Sequence, residues 1–402
     1  KKKICIIGDY DVDGCVSASL IVKLLKYLNA SYFYYIPNRF VDGYGSSLNL
    51  IKKLTIKKPD LVIMVDNGSS SNEAIEYLNK SKIKSIVIDH HEIYNPYPKA
   101  DILINPKKKS TYSEYNYFSS GVLTYFFIDL FLKKKQIKLN FSENLYLVLL
   151  SIVSDVMPIR KINRHVANIV LQNINFEKIY IFKKIFDIKK IKKPLEIDDF
   201  GFLFGPILNS AGRLGDPNII VELLTTEDNN IKDKIINKLI LLNEKRKFIE
   251  ENILKNINFK EIKEKNEPII IIEDNNINEG LIGIISSKVT TYFNKPSVII
   301  SRSGKFYKGS ARSTKDLSIG KIIKNALDKK LLESGGGHHL AAGFTLKKIN
   351  LTKFKNFLVD SCNKSQINTS FKFLTKISMQ KLNNNFLKKY NKLNPYGEDN
   401  LA

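Results

Sequence analysis

The sequence predicts an α/β protein: a parallel-sheet domain joined by a long helix to a smaller α/β domain. Three observations carry this. Short apolar runs alternate with helically spaced segments over the first hundred residues, the pattern of a βαβαβ chain. Each of those runs closes on acidic residues or histidine. After Asn266-Glu267-Pro268 an alternation of the same kind begins again.

Taken in order, residues 3–7 form a first strand ending at Gly8-Asp9, and residues 16–28 have the apolar spacing of a helix. Residues 61–65 (LVIMV) read as a buried strand ending in Asp66-Asn67-Gly68. A helix around 73–78 follows, then a strand over 85–88 that ends in Asp89-His90-His91. Ligands of such sheets bind beyond the carboxyl ends of the strands, where these residues converge. Residues 118–156 are mostly helical and apolar and close on Ser154-Asp155. The Gly-rich stretch 200–215 is expected to be irregular, and 231–257 to be a long amphipathic connecting helix. The second α/β segment has a strand over 269–272, a helix near 282–292 and a strand over 297–300. It carries GSARS (309–313) and GGGHH (335–339); from 349 onward the chain is rich in Lys and Asn and weakly patterned.

Composition excludes several classes. With 402 residues, 43% hydrophobic and 26% charged, the chain is neither fibrous nor disordered, and two or three domains are expected. No apolar run reaches the roughly 20 residues of a membrane helix. Three cysteines without a CxxC argue against a disulfide scaffold or a zinc ribbon and fit a reducing cytoplasm. The start lacks Met, so the numbering is expected to begin inside a longer gene product. Net charge is +24, but only seven of the 64 basic residues are Arg, and Ile and Asn are abundant. An AT-rich genome writes such a mixture without selection for a polyanionic partner. An Arg in so Lys-rich a chain then marks a place that needs the rigid guanidinium fork.

Gly8 to Gly14 (GDYDVDG) puts Asp9, Asp11 and Asp13 at alternate positions directly after a strand. Like charges there repel unless a cation sits among them. An EF-hand loop is excluded, because Leu20 stands where the twelfth-position Glu belongs. On this motif alone a metal site and a solvated acidic strand end both stand. Asp66 and His90, at two further strand ends, favour metal. Carboxylates with one imidazole suit Mn²⁺ or Mg²⁺, and so many carboxylates suggest two ions about 3.5–4 Å apart. Asp155 is a further ligand or, equally, a helix N-cap before Met157-Pro158; His165 reads as an ordinary polar residue.

GDYDVDG, VDNG (65–68), DHH (89–91) and SDVMP (154–158), in this order, resemble the four motifs of the DHH phosphoesterase superfamily. GSARS and GGGHHLAAGF (335–344) resemble its DHH-associated C-terminal domain. Within the superfamily, the non-His first motif, IPNRFVDGYG (36–45) and GPILNSAGRLG (205–215) are similar to the RecJ branch of single-strand-specific 5′→3′ exonucleases. The resemblance implies a DHH domain over 1–226, a connecting helix over 227–265, a DHH-associated domain over 266–350 and an incomplete oligonucleotide-binding (OB-like) barrel segment over 351–402.

It implies Asp9, Asp11, Asp13, Asp66, His90 and Asp155 as ligands of two Mn²⁺ or Mg²⁺ ions, with Asp66, His91 and Asp155 catalytic. Arg39, Asn209, Arg213, Ser310, Arg312 and His338 would bind substrate, Arg39, Ser310 and Arg312 at a 5′-terminal phosphate. The implied activity is hydrolysis of single-stranded DNA to 5′-mononucleotides in cytoplasmic DNA repair and recombination, in a cleft between the two domains. A single-strand-binding protein and a helicase are implied partners, and no membrane is. The rivals are an enzyme for short oligonucleotides or small phosphoesters, and a non-catalytic single-strand-binding relative that has lost ligands.

Overall fold

The computed structural model describes residues 2–43, 45–109, 113–173, 175–363 and 376–400. Tyr44 of the 36–45 motif, and 364–375 and 401–402 of the expected C-terminal segment, lie outside the described residues. The chain divides into two compact units, Lys1–Asn243 with Gln380–Ala402, and Glu244–Met379. The division falls inside the helix Asn229–Asn256, the long helix that the sequence predicts.

The first unit is built on five parallel strands: β1 (Lys3–Ile7), β2 (Ser31–Tyr35), β3 (Leu61–Val65), β4 (Lys84–Ile88) and β5 (Ile102–Ile104). Their order is β2-β1-β3-β4-β5, so the chain leaves β1 for one edge and returns to β3 on the other side. The crevice at that reversal is where such sheets take ligands. Register pairs Ile7 with Met64 and Val65 with Ile88, which sets the residues after β1, β3 and β4 side by side. Edge strand β2 and three-residue β5 are not among the predicted strands. The half-buried aromatic run SYFYY of β2 ends in no acid or histidine to mark it.

Both faces of this sheet are covered, which is why β1 and β3 read as unbroken apolar runs. Ile6, Ile63, Val65 and Ile88 pack with the helices Val12–Tyr27, Ser120–Lys134 and Leu145–Ser154. Cys5, Ile7, Val62, Met64 and Val87 pack on the other face with Leu48–Thr55 and Asn72–Lys80. Each such buried aliphatic side chain contributes about 1.5–3 kcal/mol, so the platform under the strand ends is rigid.

The stretch 200–215 is not irregular. Phe200–Phe204 form a π-helical turn that runs into the α-helix Gly205–Leu214, and Ile207, Leu208 and Ala211 are fully buried. A Cβ on Gly212 would stand 2.2 Å from the Tyr10 carbonyl oxygen. Glycine there admits the acidic loop against the helix and does not break it.

The second unit holds a mixed sheet of β6 (Ile270–Glu273), β7 (Ser297–Ser303), β8 (Phe306–Arg312), β9 (Ser334–Gly337) and β10 (Ala341–Lys347), ordered β6-β7-β8-β10-β9. β6 and β7 are parallel around the helix Ile282–Phe293, and the remaining pairs are antiparallel. GSARS lies on and just after β8, and the glycines of GGGHH lie on β9. The helix Leu351–Asn363 buries Phe354, Leu358 and Cys362 in this unit's core with Val298, Ile300 and Phe344. That corrects the expected boundary at 350.

Among the described residues of 376–400 the chain forms the helix Asn384–Tyr390, capped by Asn383, short 3₁₀ turns and one isolated bridge, but no strand. Its apolar residues follow helical spacing where a strand would alternate. Among the described residues no helix is long and apolar enough to cross a membrane.

Candidate metal centre

The acidic loop leaves β1 and enters a helix within four residues. Asp11 caps that helix, its carboxylate accepting from Gly14 N at 3.0 Å. Asp9 and Asp13, two residues to either side, are almost fully buried. Asp13 accepts from Ser120 N and Gly121 N at 2.8 Å each and from Ser151 Oγ at 2.5 Å. The first two donors open the helix Ser120–Lys134, whose N-terminal amides suit an anion. Asp66 follows β3 in the left-handed region at φ +61°, a strained conformation characteristic of functional positions. Ser120 Oγ donates to its Oδ1 at 2.9 Å.

His90, after β4, gathers these groups. Its Nε2 lies 3.3 Å from Asp66 Oδ1, 3.4 Å from Asp155 Oδ2 and 3.7 Å from Asp13 Oδ2. Three overlapping trios have ligand atoms all within 4.8 Å: Asp13-His90-Asp155, Asp66-His90-His91 and Asp9-Asp11-Asp66. The six residues expected as ligands thus come together; Asp155 caps the C-terminal end of the helix Leu145–Ser154, not a helix N-terminus, and its carboxylate lies toward His90.

The electrostatics agree. Burial, then the charge on Asp11, pushes Asp9 up to about 7 and Asp13 up to about 6. Burial, then the charges on Asp13 and Asp11, raises Asp66 and Asp155 well above the usual carboxylate range. Asp66 Oδ2 is buried without a hydrogen-bond partner among the described residues. A hard oxygen-rich donor set with one imidazole, repelling itself and leaving a buried carboxylate oxygen unsatisfied, fits divalent cations of the Mn²⁺ and Mg²⁺ kind.

His91 is held differently. Its Nδ1 lies 2.8 Å from Asp89 Oδ1, which also accepts from His90 N and His91 N, while Asp89 Oδ2 accepts from Ser69 N. Burial alone would lower the His91 pKa, but the charge and hydrogen bond of Asp89 raise it to about 10. Burial would raise Asp89, but His91's charge and hydrogen bond hold it well below the usual range. Asp89 thus favours the protonated form of His91 and orients its ring.

The expected substrate residues divide between the units. In the first, the Arg39 guanidinium stacks 4.1 Å from the centre of the Tyr10 ring, and Arg213 stands in the last turn of Gly205–Leu214. Asn209 Oδ1 accepts from Val12 N at 3.1 Å and so steadies the acidic loop. In the second, Arg312 donates to Ser310 Oγ at 2.9 Å and to Ser287 Oγ at 3.1 Å, beside Gly283 in the first turn of Ile282–Phe293. His338 sits in the β9–β10 turn, its carbonyl accepting from Gly320 N. Sequence reasoning missed Ser120, Gly121, Ser151 and Asp89. Phe118-Ser119-Ser120-Gly121 is a helix-start signal, and it alone could have pointed to the first two.

Residues 3–152 match the DHH family, N-terminal domain, and residues 266–364 match the DHHA1 domain. The first of these stretches thus resembles a DHH N-terminal domain and the second a DHHA1 domain. The chain's relatives include single-stranded-DNA-specific exonucleases named RecJ. The one from Escherichia coli is 30% identical over 376 residues, and the one from Haemophilus influenzae 29% over 379. Those alignments cover 88% and 89% of this chain but 65% of each relative's length.

Among solved structures, RecJ from Thermus thermophilus in complex with Mn²⁺ superposes with a TM-score of 0.85 at 22% identity, covering 100% of this chain and 58% of that one. An exonuclease RecJ bound to manganese gives 0.74 at 23% identity and covers 91% of each chain. These likenesses establish a shared fold.

Proposed function

We propose that the chain hydrolyses single-stranded DNA from a 5′-phosphorylated end and releases 5′-mononucleotides at a centre of two Mn²⁺ or Mg²⁺ ions. The observation that carries this is the convergence of Asp9, Asp11, Asp13, Asp66, His90 and Asp155, with one carboxylate oxygen of Asp66 buried and unsatisfied. The single-stranded-DNA-specific exonucleases among the chain's relatives support the substrate, and RecJ structures in complex with Mn²⁺ and with Mg²⁺ support the metal. Bound divalent ions supply an activated water and neutralise charge on phosphate oxygens.

The chain's own residues do the rest. Asp13, held by three donors, and Asp66, fixed by its backbone and by Ser120, hold the ligand frame still. The His91 imidazolium, oriented by Asp89, offers a fixed positive charge and a proton to a phosphate oxygen. Arg39 and Arg213 in the first unit, and Ser310, Arg312 and His338 in the second, are the candidates for holding DNA phosphates. In repair or recombination, a helicase and a single-strand-binding protein would supply the exposed strand.

The test is one oligonucleotide, 5′-phosphorylated and labelled at its 3′ end, incubated with Mn²⁺ and then with chelator. A ladder shortening from the 5′ side that vanishes with chelator is the expected result. An intact strand beside a cleaved dinucleotide control would replace this reading with one of small-phosphoester hydrolysis.

A further inference from the structure

We infer that residues 391–400 form a strap that positions Asp155, an inference that rests on the metal-centre reading above. Asp13 and Asp66 are gripped by donors to their side chains and are 1% exposed; the Asp155 side chain is 30% exposed and stands one residue past its helix. Its place therefore follows the backbone that comes next, which begins with Val156 at φ +54°.

Beyond the bond from Val156 N to Val153 O at 3.2 Å that closes the helix, that backbone is tied at three points. Met157 N donates to Ile152 O at 2.9 Å, and Asn163 Nδ2 donates to Pro158 O at 3.0 Å. The third tie is Ile159 N to Glu398 O at 2.8 Å. The first two come from neighbours in sequence. The third comes from the far end of the chain, yet it belongs to the same compact unit.

The strap is built to hold that contact. Gly397 and Asn400 exchange both backbone hydrogen bonds at 3.0 Å, and Asn400 Nδ2 donates to Pro395 O at 2.7 Å. Tyr396 Oη donates to Tyr390 O at 2.7 Å. Arg164 Nη2 reaches back to Leu393 O at 2.9 Å and Asn394 O at 3.4 Å. A Cβ on Gly397 would lie 2.5 Å from Cγ1 of the buried Ile159, so only glycine lets the strap lie this close. NPYGEDN (394–400), read from sequence as part of a barrel, thus has a use in the first unit: a bare residue, a carbonyl and a turn, all directed at the segment behind Asp155. Arg164, Gly397 and Asn400 are positioning residues.

The experiment compares wild type with Arg164→Ala, Arg164→Lys and Gly397→Ala in the full chain. Hydrogen exchange of a peptide covering 155–160 should speed up in Arg164→Ala and Gly397→Ala while peptides of β1 and β3 stay protected. Misplacement of a ligand by a fraction of an ångström should lower kcat about ten-fold or more, with KM for the oligonucleotide within about two-fold of wild type. Direct calorimetric titration with Mn²⁺ should show weakened binding, and Arg164→Lys, which still reaches a carbonyl, should recover most of kcat.

Unchanged exchange at 155–160 in both strap variants would overturn the proposal. So would faster exchange with kcat and Mn²⁺ binding both unchanged, since the contact would then be structural only. If Arg164→Ala does not fold, Gly397→Ala decides by the same readouts. If the wild type cuts no strand, the nuclease reading fails alone, and exchange with Mn²⁺ titration still judges the strap.

Discussion

His91 Nδ1 and Asp89 Oδ1 lie 2.8 Å apart, Asp89 buried and His91 partly exposed, and each stabilises the charged form of the other. Asp89 belongs to no ligand trio, although it stands beside His90 in sequence. Its hydrogen bond orients the His91 ring and favours the protonated form. Asp89→Asn should leave the Mn²⁺ stoichiometry at its wild-type value while kcat falls about 10²–10⁴-fold, as when an orienting carboxylate is removed from a catalytic histidine. Single-turnover kinetics beside a Mn²⁺ titration checks this. Loss of metal binding would make Asp89 a ligand instead.

The three cysteines should be silent in the native protein. Burial pushes Cys5 up to about 12 and Cys362 up to about 11, and raises Cys15 well above its ordinary value. Only the thiolate reacts, so at pH 8 these side chains, raised and enclosed, present almost none of it. A chromogenic disulfide reagent should titrate no thiol in the native chain and three after denaturation. One fast-reacting native thiol would show that a core cluster opens readily.

The strand-end ligands were legible because β1, β3 and β4 are short apolar runs and whatever follows them must meet at one sheet edge. Asp9, Asp66 and His90 are visible for that reason. The groups that fix them were not. Ser120 and Gly121 act through backbone amides, and Ser151 acts from inside an otherwise apolar helix, where a hydroxyl carries no pattern. The stretch 200–215 misled because glycine signals both a break and a close approach, and only the position of Tyr10 O against Gly212 distinguishes the two.

Arg312 should act on substrate choice more than on chemistry. Its guanidinium is oriented by Ser310 and Ser287 beside the N-terminal turn of Ile282–Phe293, so hydroxyls, a fork of donors and a helix start face one place. That is the composition of a phosphate site. Arg312→Ala should weaken the preference for 5′-phosphorylated over 5′-hydroxyl ends by about ten-fold or more, the worth of one or two charge-assisted hydrogen bonds. Initial rates on the two oligonucleotides measure it, and an unchanged ratio would remove Arg312 from that role.

Asp66 should show activity and stability in opposition. Without metal, burial and then the charges of Asp13, Asp11, Asp9 and Asp155 raise the pKa of its carboxylate well above the ordinary value. Asp66→Asn removes one member of that repulsion and keeps the shape. Asn also tolerates the left-handed backbone at φ +61° better than Ala does. In chelator the variant should be more stable than wild type by about 1 kcal/mol or more, roughly 2–4 °C in Tm for a domain of this size. The sign follows from the folded state: a raised carboxylate pKa means that ionisation opposes folding, so the gain should vanish below about pH 4, where the unfolded carboxylate is protonated too, and grow as pH rises toward the raised folded pKa. With Mn²⁺ the order should reverse, because wild type gains binding energy that Asn supplies poorly. Turnover should be abolished. Thermal melts of both proteins, with chelator and with Mn²⁺, test this; a wild type that is the more stable in chelator would mean that the carboxylate cluster is not poised for cations.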